Sequence, residues 1–389
     1  MKVVMIGQKG IPARLGGIER HVEELSTRLV RLGVNVAVYC RPWYTRERNA
    51  NVNGVRTITM PSLRSKHLDA ITHTLFATMH AIFTEKPDVI HYHGVGPSLL
   101  AWIPRVLSPR TRVVTTFHTI DRLTPKWGAF ARIMLRLGEW CACAYADRTI
   151  TVSETLKRYC DEVYSTDTVY LPNGVTDIGA ADLITLADWN LTDGGYLLYV
   201  GRLIPHKGVH TLVNAYRNLP EPVREQYPLV IVGDGVFTNE YLKELTAAAR
   251  GANVKFVGAQ FGATLSALYR GAALFVNPAE SEGMPNTVLE AVSLGLPVIV
   301  TDILAHREIL GADATYVAPK NTYALGAAID ATLGSLAAAR ERANARVEDV
   351  RTRYSWDRIA RATKDVYLST ARPDTALEAK HLAKNIPAI

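Results

Sequence analysis

What is scarce in this chain narrows it before any motif is read. Its 389 residues include only four cysteines, Cys40, Cys141, Cys143 and Cys160. They show neither paired metal-ligand spacing nor a disulfide framework, so the sequence reads as a protein of a reducing compartment, the cytoplasm. No apolar run approaches the ~20 residues that a membrane-spanning helix needs. The opening MKVVMIG reads directly as a strand and lacks the flanks of a signal peptide. The dinucleotide fingerprint GxGxxG is absent from the first loop, GQKGIPARLGG (Gly7–Gly17). The second strand ends in Cys40 and Arg41, where an NAD site would want an acid. A nicotinamide cofactor is therefore disfavoured.

What is present fits a globular α/β protein. Hydrophobic residues make up 48% of the chain, and the length suits two domains of about 150–200 residues each. The net charge of +7 is uneven: positions 1–180 hold 23 Lys and Arg against 15 Asp and Glu, and the remainder holds 21 against 22. An anionic partner for the first half follows, a membrane surface or lipid phosphate before nucleic acid.

Short apolar runs alternate with helical patterns, which predicts a doubly wound architecture. Strands are expected at Val3–Ile6, Val34–Tyr39, Val55–Thr59, Val89–Tyr92, Val113–Phe117, Thr149–Val152 and Thr168–Leu171. A second set is expected at Leu197–Val200, Leu229–Val232, Val254–Val257, Leu274–Val276, Val298–Val300 and Thr315–Val317. Helices are expected over Gly17–Leu32 and Leu68–Thr84. The boundary falls in LPNGVTD (Leu171–Asp177), giving domains 1–175 and 176–355 and a final segment 356–389 whose tail after Arg372 is polar and expected to be poorly ordered.

Several segments carry candidate chemistry. In YVGRLIPHKGVHTLVNAY (Tyr199–Tyr216) a strand ends, Arg202 and Lys207 follow in the loop, and Gly208 opens a helix. Two cations and a helix amino terminus at one strand end suit a phosphate or pyrophosphate. In NPAESEGMPNTVLEAVSLGLPVIVTD (Asn277–Asp302) a loop holds Glu282, Gly283 and Pro285, and a helix starts near Asn286. Glu290 is expected in the first helical turn, where an acid also suits the helix dipole without any ligand. His118 sits just beyond a buried strand, and structural and functional readings both stand. His91 and His93 share a face of a strand end. Nothing near them in sequence completes a metal set, so they read as cleft-lining or core residues. Asn53–His67, with Arg56, Arg64, Lys66 and His67, precedes a histidine-bearing helix (His73, His80). It is either a solvated loop and an ordinary helix or, with Leu75, Phe76 and Ile82, an interfacial patch. Arg122–Trp140 has similar chemistry. No metal site is assigned.

Taken together, Gly201-Arg202, Lys207-Gly208 and the pair Glu282/Glu290 resemble the retaining glycosyltransferases of family 4, whose GT-B fold is α/β, two Rossmann-like doubly wound domains facing across a cleft. GIPARLGGIERHVEELSTRL resembles a subgroup with an IPAR-x-GG segment. The resemblance covers nearly the whole chain. It implies an acceptor-binding first domain, a nucleotide-sugar-binding second domain, and a last helix that crosses back to the first. It implies that Arg202 and Lys207 hold the donor diphosphate, that Gly16 and Gly17 close over it, and that Glu290 accepts from the ribose hydroxyls. Glu282 and the stretch Gly283, Met284, Pro285 and Asn286 would meet the transferred sugar, with His118 near its anomeric carbon. Met284-Pro285 departs from the aromatic-glycine pair of many relatives, and Pro285 removes a backbone donor. The implied reaction moves a sugar from a nucleotide-diphosphate sugar to a hydroxyl of a lipid-linked saccharide or cell-surface polysaccharide, by front-face displacement with no divalent metal or other cofactor. The implied place is the cytoplasm, extending to a peripheral position at the inner face of the cell membrane. Two rivals remain, a nucleotide-sugar 2-epimerase on the same fold and a non-catalytic nucleotide-sugar binding protein. Nucleic acid is disfavoured for want of interleaved aromatics or a known module.

Overall fold

The computed structural model of the chain describes residues 1–14, 16–45, 47, 49–65, 68–123, 127–181, 183–235, 239–312 and 314–369. Lys66, His67 and the tail after Arg372, for which expectations were stated above, lie outside the described residues. The chain divides into two compact units. One is Met1–Asn173 resumed at Trp356, and the other is Gly174–Ser355.

The first unit is built on β1 (Lys2–Ile6), β2 (Asn35–Cys40), β3 (Asn51–Val52), β4 (Val55–Thr59), β5 (Val89–His93), β6 (Arg112–Phe117), β7 (Arg148–Thr151) and β8 (Val169–Tyr170). Their order in the sheet is β3-β4-β2-β1-β5-β6-β7-β8. Every pairing is parallel except β3 with β4. Strand β3 is not among the expected strands, because two residues carry no periodicity. Its signal is the Asn53-Gly54 turn, both residues at positive φ, a hairpin dipeptide. The central strands are unbroken apolar runs because both faces are covered: Val3, Val4, Met5 and Ile6 are fully buried. The helix Gly17–Arg31 buries Val22, Leu25 and Leu29 at helical spacing. The last helix, Trp356–Ser369, packs on it, so that Trp356, Ile359 and Tyr367 join the core of the first unit.

The second unit carries β9 (Leu197–Val200), β10 (Leu229–Val232), β11 (Val254–Gly258), β12 (Leu274–Asn277), β13 (Val298–Thr301) and β14 (Thr315–Val317). They lie in the order β11-β10-β9-β12-β13-β14, all parallel. Both units are thus Rossmann-like α/β layers. In each, the strand order reverses once in mid-sheet, between β1 and β5 and between β9 and β12. At such a switch point the loops leaving the two strands diverge and open a crevice at the carboxyl edge. The glycine loop after β1, the histidines at β5 and β6, the Arg202–Gly208 loop after β9 and the Glu282 loop after β12 all leave from that edge of their own sheets.

One helix differs from expectation. Leu68–Thr84 is not a single α-helix but Asp69–His80 followed by a π-helical turn, Ala81–Glu85, which ends at left-handed Lys86. The register change puts Ile82 in the core and leaves Phe83 exposed.

Candidate active site

In the second unit the site begins at the end of β9. Residues Pro205–Lys207 form one 3₁₀ turn and Gly208 pivots the chain into the helix Val209–Arg217. Gly208 is at φ 69, and a Cβ there would lie 2.1 Å from the carbonyl oxygen of Pro278. Only glycine lets this turn press against the loop that follows β12. The Glu280 amide donates to the His206 carbonyl at 2.9 Å, fastening the two loops together. Arg202 is exposed, and Lys207 forms an ion pair with Glu282. Burial alone would push the Glu282 carboxyl up. The Lys207 ammonium, by charge and by hydrogen bond, with help from the Arg202 charge, outweighs it and holds the carboxyl below its usual value. Glu282 is therefore ionised at neutral pH.

Behind this pair stands His306, fully buried in the helix Leu304–Leu310. Its Nδ1 donates to the Thr301 carbonyl at 2.8 Å, which leaves Nε2 as a lone pair, without a partner among the described residues. Burial keeps the ring neutral, below its usual pKa. Thr301 in turn donates through its hydroxyl to the Ala279 carbonyl.

The helix Asn286–Ser293 starts at Pro285 with no side-chain cap and no acid in its first turn. Glu290 lies one turn further in, which corrects its expected position and means that the helix dipole does not account for an acid there. It is buried and accepts from the Tyr269 hydroxyl at 2.8 Å through Oε2. Met284 and Pro285 are buried, and Gly283 and Asn286 are half-buried. The loops and the helix start offer two cations, an ionised carboxylate and backbone donors in one place. That chemistry suits an anion joined to a polyhydroxylic group.

The first unit presents a different group of side chains. Gly16, at φ 106, opens the helix at Gly17, and a Cβ on it would meet Glu19 Oε2 at 2.0 Å. Glu19 accepts from the Lys9 amide at 3.0 Å and so holds the glycine loop from beneath. His118 is buried just after β6. Its Nε2 lies 3.3 Å from Nδ1 of His93, and its ring meets His21 edge-on at 4.8 Å between centroids. His21 hydrogen-bonds the Asn173 amide oxygen through Nδ1 at 2.8 Å. The sequence near His93 offers no partner for it, and the residues that stand beside it, His118 and His21, are distant in sequence. Burial, then neighbouring histidines, holds His93 and His118 well below the usual histidine value. His21 is lowered to about 4 by burial, against a hydrogen bond to Asn173 that raises it. His91 is a satisfied core residue, bonded to the Tyr367 and Thr116 hydroxyls at 2.7 Å each.

The basic segments are more engaged than their composition suggested. Arg56 pairs with Glu85, and Arg122 with buried Glu139 at 3.2 Å. His73 is buried, and His80 bonds the Tyr39 hydroxyl at 2.9 Å. Leu75, Phe76, Phe83, Phe130 and Ile133 remain exposed, with Arg132 and Arg136 beside the last two. No helix among the described residues is long and apolar enough to cross a membrane.

Of the residues at these two loop clusters, Arg202, Lys207, Glu282, Glu290 and His118 stand out in the sequence, whereas His306, Tyr269, His21 and Glu19 do not. Each is a polar residue on an otherwise buried face, a pattern that reads as core unless the partner is known.

Comparison with known proteins places both halves. Residues 15–177 match the family model described as Glycosyltransferase Family 4, and residues 187–347 match that described as Glycosyl transferases group 1. The phosphatidyl-myo-inositol mannosyltransferase of Mycobacterium leprae is 30% identical over 291 residues, 73% of this chain and 74% of that one. A glycogen synthase of Mycobacterium tuberculosis is 28% identical over 404 residues, 96% of this chain and 95% of that one. Among solved structures, sucrose-phosphate synthase from Thermosynechococcus elongatus superposes with a TM-score of 0.80 at 21% identity, covering 94% of this chain and 98% of that one.

Proposed function

The chain belongs to the GT-B glycosyltransferases, and from that premise we propose a retaining, metal-independent enzyme. It moves a sugar from a nucleotide-diphosphate sugar to a hydroxyl of a lipid-linked saccharide or cell-surface polysaccharide. The observation that carries this reading is the Lys207–Glu282 pair, set on a turn that only Gly208 permits.

The pair is complementary to itself until a donor arrives. A diphosphate carries more charge than one carboxylate, so Lys207 transfers its hydrogen bond to a phosphate oxygen, joined by Arg202. Glu282 is then released to accept from hydroxyls of the sugar. As the bond between the anomeric carbon and the phosphate oxygen lengthens, negative charge grows on the diphosphate. The two cations stabilise that charge more than they stabilise the bound ground state, which is what lowers the barrier. The acceptor oxygen attacks on the face the diphosphate leaves, its proton passes to a donor phosphate oxygen, and the nucleoside diphosphate departs. Glu290, oriented by Tyr269, accepts from the ribose hydroxyls. The first unit takes the acceptor, and Gly16, Gly17 and His118 keep the diphosphate and sugar roles that the resemblance implies. Cationic side chains do the neutralising, so no divalent ion is required.

The lipid-linked acceptor is supported by the exposed Phe76, Phe83, Phe130 and Ile133 with Arg132 and Arg136, apolar and basic residues of the kind that enter an anionic interface. Salt-sensitive sedimentation with anionic liposomes is expected, and no binding at low salt would remove this part of the reading. The central test is the anomeric configuration of the product by NMR, with transfer run in excess EDTA. Retention with undiminished turnover is expected. Inversion would overturn the mechanism, and dependence on added metal would overturn the role given to the two cations.

A further inference from the structure

We propose that His21, His93 and His118 form a binding site for a borderline-soft divalent cation, such as Zn²⁺, whose occupancy switches transfer off. Each offers one ring nitrogen, and the three lie within 4.8 Å of one another, all buried. The contact between His93 Nδ1 and His118 Nε2, 3.3 Å, is long for a hydrogen bond. It is the spacing of two ligands on one tetrahedral ion, since metal–nitrogen bonds of ~2.0–2.1 Å place their nitrogens about 3.3–3.4 Å apart.

The third ligand is oriented independently. The Asn173 amide oxygen accepts from His21 Nδ1 at 2.8 Å, which fixes the tautomer and leaves Nε2 as a lone pair. That Nε2 is buried and has no hydrogen-bond partner among the described residues. A carbonyl-type acceptor behind a ligating histidine is the usual outer layer of such a site. Trp356 packs edge-on against the His21 ring at 5.2 Å and restricts its rotation. Three imidazoles leave a fourth position for water or anion, as in open zinc sites.

Binding itself does not depend on the transfer mechanism. Its consequence does, resting on the role proposed for His118. An ion held there would occupy that imidazole, so the sign of the metal effect is inhibition, opposite to that of a metal-requiring transferase.

The test uses the full, tag-free chain. Wild type is expected to bind one equivalent of Co²⁺ with the intense visible absorption of a four-coordinate nitrogen site, displaced by one equivalent of Zn²⁺. His21→Phe keeps the ring volume and is expected to lose the band. Asn173→Ala is expected to bind about 10–100-fold more weakly, with the melting profile of each variant confirming the fold. Absence of the band in wild type, or an undiminished band in His21→Phe, overturns the site. In a parallel assay Zn²⁺ is expected to suppress transfer and EDTA to restore it. Stoichiometric binding with transfer unaffected would uphold the site and overturn the role given to His118 and the switch.

Discussion

The two switch points share a topology and differ in charge. After β9 and β12 the second unit gathers Arg202, Lys207 and Glu282, fully charged and partly open to water. After β1, β5 and β6 the first unit gathers His21, His93 and His118, buried and neutral. One parallel sheet edge has been equipped to hold an anion, and the other to present lone pairs where water is excluded. The fold supplies the crevice in both cases, and the loop residues decide its chemistry. Charge at a sheet edge is costly to bury and must be paired. Neutral imidazoles cost less and can remain partly unpaired, as Nε2 of His21 and of His93, without a partner among the described residues, shows.

Breaking the charged side should have the largest effect. Lys207→Met removes a charge-assisted contact of roughly 1.5–3 kcal/mol, so transfer should slow by about one to two orders of magnitude. It also leaves the Glu282 carboxylate largely buried and unpaired, at a stability cost on the order of 3 kcal/mol. Adding Glu282→Gln should recover most of the melting temperature and none of the turnover. If the double variant melts no higher than the single one, the pair is not what sets the cost, and the contrast between the two switch points weakens.

The next test separates the two glutamates. Glu290→Gln keeps an acceptor for the Tyr269 hydroxyl, so melting should change little. The nucleoside diphosphate should bind about tenfold more weakly, which is ~1.4 kcal/mol, and the preference for ribose over 2′-deoxyribose should disappear. A variant that still discriminates ribose by calorimetry would move that role elsewhere.

How much of the fold and site is legible in the sequence follows from where each constraint is written. Thirteen of the strands are legible because they are apolar runs between turns, a local signal. Arg202, Lys207 and Glu282 are legible because charge beside glycine at the end of an apolar run seldom serves packing alone. His306 and Tyr269 are not. Tyr269 acts through a hydroxyl bonded to Glu290 on another helix, and His306 through Nδ1 to the Thr301 carbonyl five residues back, a spacing that carries no motif. His21 and His93 illustrate the same limit across 72 positions of sequence, where the sheet order, not any motif, brings them together. The misplacement of Ile82 has a further cause: a π-helical turn shifts the facing residues, and periodicity assumes no such insertion.

The smallest effect is one of pH, and it bears on the comparison through a residue outside either site. His73 of the first unit is buried, and its pKa is lowered to about 4 by burial first and the Arg41 charge second, with the Cys40 backbone and Asp69 opposing. In the unfolded chain its pKa returns to ~6.5. Between these values the unfolded state binds the extra proton, so stability falls as the pH drops below 6.5 and continues to fall towards 4. Glu282 runs on a lower window. Its folded pKa is depressed, so its contribution is complete above the unfolded value of 4.5 and is lost only as the pH falls through the folded one. The neutral interior of the first unit should therefore yield to mild acid before the charged pair of the second does. For His73 alone the loss is roughly 0.7 kcal/mol between pH 7 and pH 6. His73→Leu removes the titration without adding a polar group, so its stability by urea unfolding should fall less over that interval, by about that amount. Equal slopes in wild type and variant would mean that His73 is protonated in the folded protein, and that the first unit tolerates buried charge as the second does.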